Sequence, residues 1–205
     1  MSVRVLVAVD LQYDFCPGGA LAVPDGDRVI DVVNAVAQCF DLVVATQDWH
    51  PADHGSFASN HPGAAVGATV ELGGVPQVLW PDHCVQGSRG AELRDEFDLR
   101  PVAAIVRKGT DPGVDSYSAF FDNARRHATG LAGYLRERDA AEVWFAGLAT
   151  DYCVKYSVLD AADLGFSVAV VTDACRGIDL SAGDVERAFD EMRVAGARVV
   201  TSAEA

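Results

Sequence analysis

Cys153 occupies a position where a thiol can do chemistry. Residues 142–147 (EVWFAG) read as a buried strand, Leu148-Ala149-Thr150 as a short turn, and residues 151–159 as the start of a helix. A thiol in a first helical turn meets free backbone N–H groups and the positive end of the helix dipole, both of which favour the thiolate. Parallel sheets also gather their ligands at the C-terminal strand edge. A nucleophile is one reading of Cys153, and a small buried core residue is the other. Asp10 closes an apolar run at residues 3–9, and Arg107-Lys108 closes another at 102–106. A carboxylate near the thiol can accept its proton. A lysine between them would hold both anions and disfavour the protonated thiol. Taken singly, Asp10 has a plainer role capping a turn, and Lys108 a plainer place in solvent. Two further runs end in Thr46-Gln47-Asp48 and Thr172-Asp173, so polar groups from separate strands are expected to converge on one edge.

A second constellation starts at Asp48-Trp49-His50-Pro51-Ala52-Asp53-His54. Asp48 and His50 are one residue apart, and alternate side chains of an extended segment project to the same side. They can share a metal ion, with His83 as a third ligand. One carboxylate and two imidazoles with open positions suit Zn²⁺, Fe²⁺ or Mn²⁺. A hydrogen-bonded polar loop is the alternative, because such triplets have no fixed ligand spacing. Phe15, Trp80 and Tyr117 fall in loops near the same edge, where a flat substrate could stack between rings.

The elements that must position these groups are legible as an alternation. Apolar runs at 3–9, 42–45, 102–106, 142–146, 167–171 and 198–200 suit strands buried on both faces. Helical patterns lie at 27–39, 130–138, 151–164 and 184–195, with Gly165 and Gly196 where helix C-caps belong. The fold class expected is α/β, a three-layer sandwich around a mostly parallel sheet, in one domain over residues 1–205. The stretch 49–100 breaks the rhythm. It is rich in Gly, Pro, His and Asp, has little periodicity, and reads as a functional insertion.

Composition narrows the partners. With 30 acidic against 16 basic residues, the formal charge of −14 argues against nucleic acid and anionic membranes. The 5 cysteines are widely spread without a CxxC, as expected of reduced thiols in a cytoplasmic protein. No signal-peptide pattern is present, and no apolar run is long enough to span a bilayer.

Six segments together resemble the nicotinamidases (pyrazinamidases) of the isochorismatase-like cysteine hydrolases. They are Asp10-Leu11-Gln12-Tyr13-Asp14-Phe15-Cys16-Pro17-Gly18-Gly19, Thr46-Gln47-Asp48-Trp49-His50-Pro51, His54-Gly55-Ser56-Phe57, Trp80-Pro81-Asp82-His83-Cys84-Val85, Arg107-Lys108-Gly109 and Gly147-Leu148-Ala149-Thr150-Asp151-Tyr152-Cys153-Val154. The Lys108 and Cys153 motifs are shared across that superfamily, whereas the Asp48/His50/His83 set is narrower and points to nicotinamidase. The resemblance implies Asp10, Lys108 and Cys153 as a catalytic triad. It implies Asp48, His50 and His83 as ligands of one divalent metal, zinc first with iron or manganese as alternatives. His54 and Ser56 compete for a further ligand position. Phe15, Trp80, Tyr117 and Ala149 would bind substrate. The resemblance further implies a sheet of about six strands and a cis peptide bond at Leu148–Ala149. The implied reaction converts nicotinamide to nicotinate and ammonia, and pyrazinamide to pyrazinoate, through a thioester. The implied partner is that small-molecule substrate, with self-association into a homo-oligomer left open. The alternatives are another amidase of the superfamily, an isochorismatase, a hydrolase using metal-bound hydroxide, and a non-enzymatic interaction module.

Overall fold

Strands rich in Val and Ile on both faces must be covered on both faces, and the chain meets that demand with helices on either side of one sheet. A computed structural model describes residues 3–205. In chain order the elements are β1 (Val3–Val9), α1 (Val29–Ala37), β2 (Leu42–Asp48), β3 (Thr69–Leu72), β4 (Val75–Val78), β5 (Val102–Lys108), α2 (Leu131–Arg136), β6 (Ala140–Leu148), α3 (Lys155–Asp163), β7 (Ser167–Arg176), α4 (Asp184–Val194) and β8 (Arg198–Val200). The main sheet has six strands in the order β5-β2-β1-β6-β7-β8, and every pairing in it is parallel. Among the described residues, no helix is long and apolar enough to cross a membrane.

Alternation along β1 divides the core. Leu6 and Ala8 pack with Val29, Ile30, Val33 and Val36 of α1 on one side. Val5, Val7 and Val9 pack with residues of α2, α3 and α4 on the other. The α1 positions recur at helical spacing, which is why that segment winds as a helix with one apolar face.

Three elements depart from the expected pattern. Residues 150–154 form a π-helical turn (Thr150–Val154) before α3 begins, so Cys153 precedes the α-helix rather than lying in its first turn. The insertion 49–100 is not wholly irregular, because β3 and β4 pair as an antiparallel hairpin within it. Strand β7 runs on to Arg176, and its register against β6 shifts between Phe145 and Gly147. The extension carries Thr172 and Asp173 away from the polar convergence. Thr172 donates to the Val200 carbonyl, and the exposed Asp173 carboxylate accepts from the Ser202 N–H and hydroxyl.

Candidate active site

The sheet's register assembles the first cluster. Asp48 and Lys108 face each other on the last rung of the β2–β5 ladder, and neighbouring residues in parallel register point to the same face. Asp10 follows β1 with φ +49°, which turns the chain at the strand's end. At the last rung of the β1–β6 ladder, a Cβ on Gly147 would meet the Val9 carbonyl oxygen at 2.1 Å, so only glycine permits that approach. Leu148–Ala149 is cis, as expected. The Ala149 carbonyl then accepts from the Val154 N–H at 3.1 Å, the five-residue bond that closes the π turn around Cys153.

Lys108 lies at the centre of what results. Its buried Nζ is 2.9 Å from Asp10 Oδ2, donates to Asp48 Oδ1 at 2.5 Å and to the Ser116 carbonyl at 3.1 Å, and reaches Cys153 Sγ at 3.4 Å. Asp10 Oδ2 is thus ion-paired with Lys108. Its other oxygen accepts from the Thr46 hydroxyl at 2.5 Å. One cation thus serves two buried carboxylates and a thiol. Burial pushes the Asp10 carboxyl above the ordinary range, Lys108 offsets only part of this, and Asp48 adds to it. Burial also acts on Asp48, but Lys108, His50 and His83 outweigh it and hold that carboxyl well below the ordinary range. For Cys153, burial is the largest effect and raises the thiol well above its usual value; Lys108 opposes this while Asp10 and Asp48 reinforce it. Burial therefore favours the protonated thiol and works against the thiolate that the free N–H groups of the turn and Lys108 favour.

The second cluster adjoins the first through Asp48. Ligand atoms of Asp48, His50 and His83 lie within 4.8 Å of one another, and so do those of a second trio, His50, His54 and Asp115. The three histidines share a pattern. His50 Nδ1 meets the Gly109 carbonyl at 2.8 Å, His83 Nδ1 the Pro81 carbonyl at 2.8 Å, and His54 Nδ1 the Ser56 hydroxyl at 2.7 Å. Bonds of this kind fix ring orientation and leave Nε2 as the available atom. His50 Nε2 is 3.7 Å from Asp48 Oδ2, and His54 Nε2 is buried with no partner. An orphaned buried nitrogen on a histidine that groups with the His50 imidazole and the Asp115 carboxylate fits a divalent cation. Burial and then His50 lower His54 and His83 to about 4, so both rings are neutral, the form that ligates. Between the two competitors for the further ligand position, Ser56 is engaged with His54 Nδ1, and His54 holds the free atom.

Gly109 makes the His50 contact possible. It adopts φ +64°, and a Cβ there would lie 2.3 Å from His50 Cε1.

Aromatic rings close the space. Phe15 lies 5.5 Å from the His83 ring, and Tyr152 contacts both Trp80 at 5.0 Å and Tyr117 at 5.3 Å between centroids. Phe15, Trp80 and Ala149 are buried, and Tyr117 is partly exposed. Sequence reasoning gave no role to Gln12, Ser116 or Ser157. Gln12 accepts from the Asp48 N–H at 2.7 Å and donates to the Asp48 carbonyl at 2.8 Å, clamping that residue's backbone. Ser157 donates to the Cys153 carbonyl at 2.6 Å and accepts from the Ala119 N–H at 2.8 Å, tying the Cys153 turn to the loop after Ser116. A glutamine three residues beyond a strand is a weak signal, and a serine within a helical pattern is none.

The chain also has close counterparts. The isochorismatase domain profile matches residues 4–204. A nicotinamidase of Escherichia coli (strain K12) is 51% identical over 208 residues, spanning 100% of this chain and 97% of that protein. The solved structure of an Acinetobacter baumanii nicotinamidase pyrazinamidase superposes with a TM-score of 0.96 at 46% identity, covering 100% of this chain and 98% of the other. The pyrazinamidase of Pyrococcus horikoshii in complex with zinc superposes with a TM-score of 0.80 at 39% identity, covering 97% and 98%. With a profile match across almost the whole chain and relatives this similar along their full lengths, the chain belongs to the isochorismatase family.

Proposed function

We propose that this chain is a nicotinamidase, hydrolysing nicotinamide to nicotinate and ammonia, and pyrazinamide to pyrazinoate, through a thioester on Cys153. The observation that carries the reading is the sharing of Asp48 and Lys108 between the thiol and the histidines: Lys108 Nζ donates to both Asp48 and Cys153. A carboxamide carbon and a ring nitrogen of one small substrate can then be held at adjoining centres. The 51% identity to the Escherichia coli nicotinamidase supports it.

In this mechanism Asp10 accepts the Cys153 proton as the sulfur attacks the carboxamide carbon. Lys108 compensates the negative charge passing between them. The backbone N–H groups of Ala149 and Cys153 stabilise the tetrahedral oxyanion. Asp10 returns the proton to the nitrogen, ammonia leaves, and a thioester remains. Asp10 then takes a proton from the water that attacks the thioester, and nicotinate is released with the thiol restored. Asp48, His50, His83 and His54 would hold a divalent metal, zinc first and iron or manganese as alternatives. When bound, that metal supplies an electrophilic template for the pyridine nitrogen. Phe15, Trp80 and Tyr117 face the ring.

Ammonia release from nicotinamide, measured for wild type and Cys153→Ala with and without a chelator, tests the reading. Activity is expected in wild type, to be abolished by the substitution and reduced by chelation. Chelator-sensitive activity that survives in Cys153→Ala would replace it with a metal-hydroxide hydrolase.

A further inference from the structure

Gln77 is a polar side chain on a short, peripheral hairpin, yet it is only 1% exposed. Its amide nitrogen lies 2.8 Å from the Val78 carbonyl, 2.9 Å from Asp115 Oδ2 and 2.9 Å from the Tyr117 hydroxyl. Its oxygen accepts from Asn123 Nδ2 at 3.1 Å. The surroundings dictate the amide's orientation, because flipping it would set its oxygen against a carbonyl and a carboxylate. Asn123 in turn accepts from the Tyr117 N–H at 3.0 Å. Tyr117 is thus gripped at its backbone and at its hydroxyl by one closed ring of hydrogen bonds. That hydroxyl also accepts from Trp80 Nε1 at 3.2 Å. One glutamine therefore reaches two of the three aromatic residues placed around the ring pocket, Trp80 through the Tyr117 hydroxyl.

We propose that Gln77 is a positioning residue for substrate, holding Tyr117, and Trp80 through the Tyr117 hydroxyl, in the orientation that receives an aromatic carboxamide. The inference rests on the nicotinamidase reading. Gln77 makes none of the contacts recorded for Asp10, Lys108 or Cys153. The β3–β4 hairpin that carries it acquires a purpose, bracing the aromatic wall from outside the main sheet. A network satisfied at both ends of Gln77 is sensitive to single deletions, since each leaves buried groups unpaired.

Gln77→Met keeps the side chain's length and removes its polar atoms. Interactions with the ring act equally on bound substrate and transition state, so their loss appears in KM rather than kcat. The expected result is a KM for nicotinamide raised about tenfold with kcat changed by less than about threefold. The inhibition constant of nicotinate should rise in parallel, while metal content and the rate of Cys153 alkylation stay at wild-type values. Tyr117→Phe, which keeps the ring and removes only the shared hydroxyl, should raise KM in the same way even if Gln77→Met does not fold. The double variant should then be little worse than either single one, because both act through one hydroxyl. Wild-type KM in either single variant, or fully additive effects in the double, would overturn the proposal. A fall confined to thermal stability would assign Gln77 to folding alone. Wild type without nicotinamidase activity would remove the underlying reading and this inference with it.

Discussion

The thiol centre and the histidine cluster share Asp48, but they are held in different ways. Asp10, Asp48, Lys108 and the turn before Cys153 hang from the ends of parallel strands whose ladders fix them residue by residue. The histidines hang from residues 49–100. There, among the described residues, regular pairing is limited to the β3–β4 hairpin and to single bridges such as His50 with Val85 and Phe57 with Trp80. Each histidine is instead held by a bond at its own Nδ1 and by ring packing: His50 lies 4.3 Å from His54 and 4.9 Å from His83 between centroids. Where a backbone ladder exists it sets direction for every side chain it carries. Where it does not, each functional ring needs its own support, and the supports become as necessary as the ligands.

The contrast can be broken first at its strongest point. Cys153→Ala should lower nicotinamide turnover at least about 10³-fold while leaving metal content and melting temperature intact, because the ladder needs no thiol. Retention of a tenth of wild-type activity would sink the covalent mechanism. Lys108→Met is expected next, with activity down by about 10²-fold or more. It should also cost about 3–5 kcal/mol in stability, since two buried carboxylates lose their common cation. Urea unfolding measures the second effect, and an unchanged midpoint would show that the carboxylates do not depend on Lys108.

On the other side, His50→Ala and His83→Ala should each lose bound metal, with KM raised and kcat lowered. Elemental analysis showing full occupancy in both would return these residues to a hydrogen-bonded polar loop. His54→Ala should weaken metal retention as well, by less than either. The smallest effect is expected of Ser56→Ala, which removes only the support of His54 Nδ1. About tenfold weaker metal binding, read by competition with a chelator, is the magnitude typical of such supports. Equal effects of His54→Ala and Ser56→Ala would mean that the serine acts as a ligand in its own right.

Much of the thiol centre was legible in the residue order because strand ends are local events. An apolar run that stops at Asp10 or Lys108 says where the chain leaves the sheet, and a parallel sheet makes those exits converge. The same logic misplaced Asp173, since the shift between β6 and β7 that extends the strand depends on pairing, not on composition. The hairpin had a signal, Gly73-Gly74 between two four-residue segments, but Pro76 in the second segment argues against a strand. The π turn had none, because a five-residue hydrogen bond is selected by how the turn seats against its neighbours.

The residue order by itself determined the alternation of strands and helices, the family resemblance, and the identities of the thiol, the acids, the lysine and the imidazoles. Each of these is a matter of type and short-range spacing. Tertiary structure alone decided that burial raises the Cys153 thiol, that Ser56 Oγ is engaged while His54 Nε2 is left without a partner, and that Gln77 braces the aromatic wall. These outcomes depend on burial and on partners far away in sequence: Gln77 meets Tyr117 across 40 positions, and His50 meets Gly109 across 59. No local pattern encodes such distances. Only the folded chain determines which polar atoms are satisfied and which are left free for a ligand.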